Sequence, residues 1–185
     1  MPVSSASWSH PGPAGPGLRL ERLPVPVIHA FARGEVPAGA ERFATPFLTG
    51  PDGAWLWRIR SEQIARSPGD ADWVARAVMV AGEPLPVGVA GFHGPPDERG
   101  MVEVGYRIDP AHRRRGYARR SLRTLHAVAV ADPGVAVLRA TVSPDNPASR
   151  DLVLSEGLVE VGEQWDDEDG LEIIYEISAR VGADG

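Results

Sequence analysis

Apolar positions alternate with polar ones in some stretches of this chain and recur every three to four residues in others. The switches between the two periods mark out its elements. Leu18-Arg-Leu-Glu-Arg-Leu23 alternates and predicts a first strand, ended by Pro24 and Pro26. Val27 to Arg33 predicts a short helix stopped by Gly34. From Glu35 to Gly53 the chain is broken by Pro37, Gly39, Pro46, Gly50, Pro51 and Gly53, which predicts loop with one helical turn at most, around Ala40 to Phe43. Ala54 to Arg66 returns to helical spacing, with Leu56, Ile59 and Gln63 on one face and Ser67-Pro68-Gly69 as its stop. Three strands follow: Trp73 to Val80, Leu85 to Phe92, and Met101 to Ile108. Their short connections predict an antiparallel meander.

Tyr117 to Ala131 has Ala118, Leu122, Leu125 and Ala129 on one face and Arg119, Arg120 and Arg123 on another, a helix ended by Asp132-Pro-Gly134. Val135 to Val142 is a strand that must run parallel to the strand before the helix, as a right-handed crossover. Ala148 to Ser155 predicts a short helix stopped by Gly157. Leu158 to Gln164 and Leu171 to Ser178 then predict a hairpin across the acidic turn Trp165-Asp-Asp-Glu-Asp-Gly170. Residues 1–17, rich in Pro, Gly and Ser, read as a flexible tail, and residues 18–180 as a single domain.

Composition narrows the function classes. With 43% hydrophobic and 24% charged residues the chain reads as an ordinary soluble domain. A net charge of −6 argues against a nucleic-acid partner. The absence of cysteine removes disulfides, thiol nucleophiles and cysteine-based zinc sites, and the five histidines are scattered without ligand spacing, so no metal is expected. No apolar run reaches the ~18 residues a membrane span needs, and no basic-then-apolar leader opens the chain. The expectation is a cytoplasmic protein with no membrane partner, monomeric or homodimeric.

Against the acidic background stands Arg113-Arg-Arg115, at the turn where the strand Met101 to Ile108 gives way to the helix from Tyr117. A helix start leaves backbone N–H groups unpaired, and its dipole attracts anions. Gly116 lets the backbone come close to a phosphate, and N–H groups from Arg114 through Tyr117 and Ala118 to Arg119 can converge on it. Any of Arg113, Arg114 and Arg115 can neutralise it, with Arg119 or Arg120 reaching outer phosphates. Trp55 and Trp57 read as packing over the core, with lining a cleft as the alternative. His10 reads as incidental and His93 as an ordinary turn residue, a minor base being its alternative.

Arg113-Arg-Arg-Gly116-Tyr-Ala118, preceded by Val102-Glu-Val-Gly-Tyr-Arg-Ile108-Asp-Pro and followed by Ser143-Pro-Asp-Asn146-Pro-Ala-Ser149, resembles the GNAT family of N-acetyltransferases over nearly all of residues 18–178. The wording of the flanking motifs resembles the branch that includes N-terminal acetyltransferases of ribosomal proteins. The resemblance implies an α/β (α+β) fold. Its sheet would be mixed but mostly antiparallel, of six to seven strands, flanked by helices and built on a βαβ core that binds acetyl-CoA. It implies acetyl-CoA as cosubstrate and a primary amine, on a small molecule or a peptide N-terminus, as acceptor. The alternative is a fold that senses acyl-CoA without turnover.

The resemblance also distributes roles. It places a catalytic Glu near Glu103, the carboxylate within its strand and on the face opposite Val102, Val104, Tyr106 and Ile108. It assigns the thioester oxygen to the backbone N–H of Tyr106 or Ile108. The tyrosine that many members carry on the helix after the parallel strand is missing, since no Tyr occurs between 118 and 174. The resembling branch uses the serine of its N-x-x-S motif, which implies Ser149 as the proton donor, a helix-start role being its alternative. Asn146 is expected to hold the pantetheine arm or to make the turn. Asp166, Asp167, Glu168 and Asp169 border the acceptor side, where they either attract a cationic amine or form a solvated turn.

Overall fold

A computed structural model describes residues 3–12, 17–167 and 170–180. The elements are β1 (Ser7–Trp8), β2 (Leu18–Glu21), α1 (Val25–Ala32), α2 (Pro46–Thr49), α3 (Pro51–Arg66), β3 (Arg76–Val80), β4 (Gly88–Phe92), β5 (Met101–Ile108), α4 (Tyr117–Ala131), β6 (Val137–Val142), α5 (Pro147–Ser155), β7 (Val159–Asp166) and β8 (Gly170–Ser178). They build one mixed sheet in the order β1-β2-β3-β4-β5-β6-β8-β7. Among the described residues, only β5 and β6 run parallel. The parallel pair is the one bridged by α4, as a crossover demands.

Helices cover both faces. On one, α4 packs Leu122, Leu125 and Val128 against Leu20, Val78, Phe92, Val104 and Leu138. On the other, α1 and α3 pack Ile28, Phe31, Trp57 and Ile64 against Ala77, Met79 and Val89. Every residue of β3 and β4 is buried for this reason, and their apolar content is nearly continuous rather than alternating. Each fully buried large side chain contributes roughly 1.5–3 kcal/mol.

Three expectations change. Eight strands are present among the described residues, because the segment read as a flexible tail supplies one. Ser7–Trp8 pairs with β2, and Trp8 is fully buried. The Arg76 guanidinium lies 3.3 Å from the Trp8 ring centroid and donates to the carbonyls of Val3, Ser5 and Asp72. One buried aromatic with a cation on its face outweighs the loop-forming composition around it. The loop predicted over 35–53 carries α2, whose cap is the Thr45 hydroxyl accepting from the Leu48 N–H. Helix α3 begins at Pro51 rather than Ala54, since proline suits the first helical turn, where its missing N–H costs nothing.

The decisive feature of the sheet is a split. β5 and β6 pair only from Met101–Val137 to Glu103–Arg139. Beyond that, β5 stays with β4 as far as Ile108, while β6 stays with β8 as far as Val142. The two halves diverge and leave a wedge between residues 104–108 and 140–142.

Candidate active site

At one end of the wedge is the arginine turn. Asp109 accepts from the Ala111 N–H at 2.9 Å and closes a short 3-10 turn over Pro110–His112. Arg114 and Gly116 then take positive φ, +61° and +76°, which bends the backbone into a concave run of N–H groups. No side chain caps α4, and its first internal bond runs from the Arg120 N–H to the Gly116 carbonyl. The N–H groups of Tyr117, Ala118 and Arg119 therefore lie ahead of the helix's own ladder.

The arginines there divide their tasks. Arg113 donates to the Ile108 carbonyl at 3.1 Å, and Arg115 pairs with Glu83 at 3.0 Å. Arg119 and Arg123 both pair with Glu156. Arg120 lies over the Tyr117 ring. Arg114 has no such partner among the described residues.

The register aims the β5 backbone into the wedge. Asp109 donates to Val87 and His93 to Glu103, so odd-numbered residues of this stretch form the hydrogen-bonded pairs with β4. In an antiparallel ladder the alternate residues point the other way. The N–H groups of Tyr106 and Ile108 consequently face β6, where pairing has ceased.

A hydroxyl pair spans the gap. Tyr106 Oη and Ser149 Oγ are 2.8 Å apart. Burial pushes the Tyr106 phenol up, partly opposed by Ser149, so it keeps its proton at neutral pH. Ser149 is not the cap of α5: that is Asn146, whose side-chain oxygen accepts from the Ser149 N–H at 3.2 Å. The hydroxyl that meets Ser149 thus comes from β5, where alternation places Tyr106 on one face with Val102, Val104 and Ile108.

Glu103 ends the parallel pairing, and three groups surround it. The Thr141 hydroxyl donates to its Oε1 at 2.8 Å, and His93 Nδ1 lies 3.3 Å from the same oxygen. Arg139 sits beside it while pairing with Glu176 at 2.6 Å. Burial alone would raise the Glu103 carboxyl. The hydrogen bond and charge of His93, the Thr141 hydroxyl and the Arg139 charge together hold it below the usual carboxylate range.

His93 is itself clamped. Its N–H donates to the Glu103 carbonyl at 2.8 Å, and its own carbonyl accepts from Gln63 at 2.8 Å and Arg60 at 3.2 Å, both on α3. His93 thus sits in the bend just past β4, as read from the sequence, with its ring also facing Glu103.

His93, Thr141 and Arg60 line a cavity of about 790 Å³, with Trp55, Leu56 and Ile59 of α3 as its apolar wall and Asn146 and Ser149 beside the wedge. The pair of tryptophans separates: Trp55 is part-exposed at the cavity, whereas Trp57 is fully buried and donates to the Leu48 carbonyl at 2.7 Å. Of the acidic turn, Asp166 reaches the cavity, while Glu168 and Asp169 lie outside the described residues. His10 closes a local turn with Gly12, and no metal-holding cluster occurs among the described residues.

Of the site candidates read from the sequence, Tyr106, Asn146 and Ser149 line this cavity, Glu103 lies behind His93 and Thr141, and Gly116 lies at the turn past Ile108. Sequence reasoning missed Thr141, the two α3 side chains and the Tyr106 hydroxyl, and held a base role for His93 only as an alternative. Only Thr141 had a signal, a polar residue within an apolar strand.

The sequence profile of the Acetyltransferase (GNAT) domain matches residues 27–159. An uncharacterised N-acetyltransferase, YjdG of Bacillus subtilis (strain 168), is 34% identical over 144 residues, covering 77% of this chain and 86% of its own. Among solved structures, the microcin C7 self-immunity acetyltransferase MccE, in complex with acetyl-CoA and AMP, aligns with a TM-score of 0.62 at 12% identity, over 89% of this chain and 94% of its own. The ribosomal L7/L12 alpha-N-protein acetyltransferase RimL, in complex with coenzyme A, aligns with a TM-score of 0.58 at 13% identity, over 90% and 96%. At such identities the structural likeness speaks to the fold, and the profile and the bacterial relative speak to descent. The chain belongs to the GNAT family and is an acyltransferase.

Proposed function

We propose that this protein moves an acetyl group from acetyl-CoA directly to a primary amine, on a small molecule or a protein N-terminus. The observation that carries this reading is the wedge, with an uncapped, arginine-flanked helix start at one end and a hydrogen-bonded carboxylate centre at the other. The residues present fit coenzyme A. The N–H groups of residues 114–119 and the Arg114 side chain suit its pyrophosphate, with Arg113 and Arg115 as further cations. The wedge suits its extended arm, lined by Asn146.

The Tyr106 and Ile108 amides are suited to hold the thioester oxygen as it gains negative charge, worth about 3–4 kcal/mol per well-aimed donor. Ser149, backed by the Tyr106 hydroxyl, returns a proton to the departing sulfur. Glu103 drives removal of the amine proton through an intervening group, since His93 and Thr141 stand between its carboxylate and the cavity. Asp166 and Glu172 on the acceptor side suit a cationic amine. RimL, an acetyltransferase of the α-amino group of a ribosomal protein, makes a protein N-terminus one acceptor class to try.

The test is calorimetric titration with acetyl-CoA, followed by thiol release against a panel comprising a diamine, an amino-acid amide and a short peptide with a free N-terminus. Binding plus amine-dependent thiol release is expected. No binding, or binding with no amide formed from any acceptor, overturns the proposal.

A further inference from the structure

We infer that His93 Nε2 takes the proton from the acceptor amine, and that Glu103 is a positioning residue that orients His93 and balances its charge. This rests on the transfer reaction proposed above. Access to the cavity separates the two groups. The cavity wall is made by His93, Gly105 and Thr141, and Glu103 is not part of it. Its Oε1 already accepts from Thr141 and faces His93 Nδ1, and a carboxylate held below its usual range is a weak base.

The imidazole has the complementary properties. Its side chain is 45% exposed, to the cavity, against 20% for Glu103. A carboxylate at Nδ1 selects the tautomer with the proton on that nitrogen, which leaves Nε2 as an acceptor. Nε2 lies against Gly105: a Cβ added there would come within 2.8 Å of it, so the ring rests on bare backbone in the cleft floor. The backbone bond to Glu103 and the Gln63 and Arg60 side chains on its carbonyl fix where the ring starts. This is the arrangement of an oriented histidine base, with the carboxylate stabilising the imidazolium that forms.

Charged groups of both signs surround His93. Glu103 faces it from β5, with Arg139 of β6 behind that carboxylate. From α3 comes Arg60, and Asp70 acts at one remove through Gln63. Arg107, Asp166 and Glu172 look in from around the cavity.

In the step itself the amine nitrogen attacks the thioester carbon. The C–N bond forms, the N–H proton passes to His93 Nε2, and the C–S bond breaks. The sulfur takes a proton from the Tyr106–Ser149 hydroxyl pair, which solvent refills as the imidazolium returns its proton to water.

Thiol-release kinetics across pH, on wild type, His93→Gln and Glu103→Gln with one acceptor, test this. In His93→Gln, kcat falls at least about 100-fold, acetyl-CoA affinity stays unchanged by calorimetry, and the rising limb carried by the histidine disappears. In Glu103→Gln kcat falls while that limb survives, because the histidine is still present but no longer oriented by a carboxylate. In His93→Ala, added imidazole restores part of the rate. If Glu103→Gln abolishes the limb while His93→Gln only shifts it, Glu103 is the base and the inference is wrong. A His93→Gln rate within threefold of wild type overturns it too. Wild type without amine-dependent thiol release sinks the transfer reaction itself, and this inference with it.

Discussion

Trp8→Ala tests whether the first dozen residues belong to the folded domain. The Trp8 side chain is fully buried. An indole of this kind removes about 200 Å² from water, worth ~5 kcal/mol at 25 cal/mol per Å². The Arg76 guanidinium at 3.3 Å from the ring centroid adds ~1 kcal/mol. Against this, the Trp8 Nε1 proton has no partner among the described residues, and releasing it to water returns about 1–3 kcal/mol. The net loss is about 4 kcal/mol, within the ~3–5 kcal/mol typical of such truncations.

With a urea slope of about 2–3 kcal/mol per molar, the midpoint falls by ~1.5–2 M. Circular dichroism is the right probe, because four other tryptophans complicate fluorescence. Trp8 also packs on Phe92 at 5.5 Å between centroids, the residue before His93, so the loss reaches towards the site. Well below the new midpoint, acetyl-CoA affinity should be retained. A midpoint shift below ~0.4 M would refute the reasoning, and the segment would then be an ornament on a domain beginning at β2.

Further predictions concern the site and its supports. Gly116→Val forces a β-branched residue to φ +76°, a strain above ~1–2 kcal/mol, and should weaken acetyl-CoA binding at least tenfold by calorimetry; an unchanged Kd removes the phosphate role of this turn. Tyr106→Phe should lower kcat about tenfold or more, with acetyl-CoA affinity kept and stability within ~1 kcal/mol; a change below twofold excludes its hydroxyl from proton delivery. Glu103, held below its ordinary value of 4.5, contributes stability above that pH and loses it as pH falls through the lower folded value. Glu103→Gln should therefore flatten the acid arm of the stability curve as pH falls below the ordinary carboxylate value of 4.5, and an arm as steep as wild type would contradict this. Trp57→Phe should cost ~1–3 kcal/mol by leaving the Leu48 carbonyl unpaired, while Trp55→Ala should change stability by less than ~0.5 kcal/mol and raise the acceptor KM.

Local pattern carried most of the architecture, for an identifiable reason. α4 is legible residue for residue, because its apolar stripe, the glycine before it and Asp132-Pro-Gly134 after it are all local signals. The parallel direction of β6 follows from the crossover alone. β1 was illegible because two residues carry no period, and what holds them, Trp8 against Phe92 and Arg76, comes from more than sixty positions away.

The site divides along the same line. The sequence by itself determined the arginine turn, since a strand, a glycine turn and a helix start are contiguous and their N–H groups must point where chain geometry sends them. Only the tertiary structure decided the chemical end. Glu103 and Thr141 lie on two strands, His93 just past the end of a third, and Ser149 on a helix, so their meeting depends on where β5 and β6 part. That point is set by long-range register. No local spacing reports it, and it brings a strand tyrosine and a strand-end histidine to the wall of one cavity.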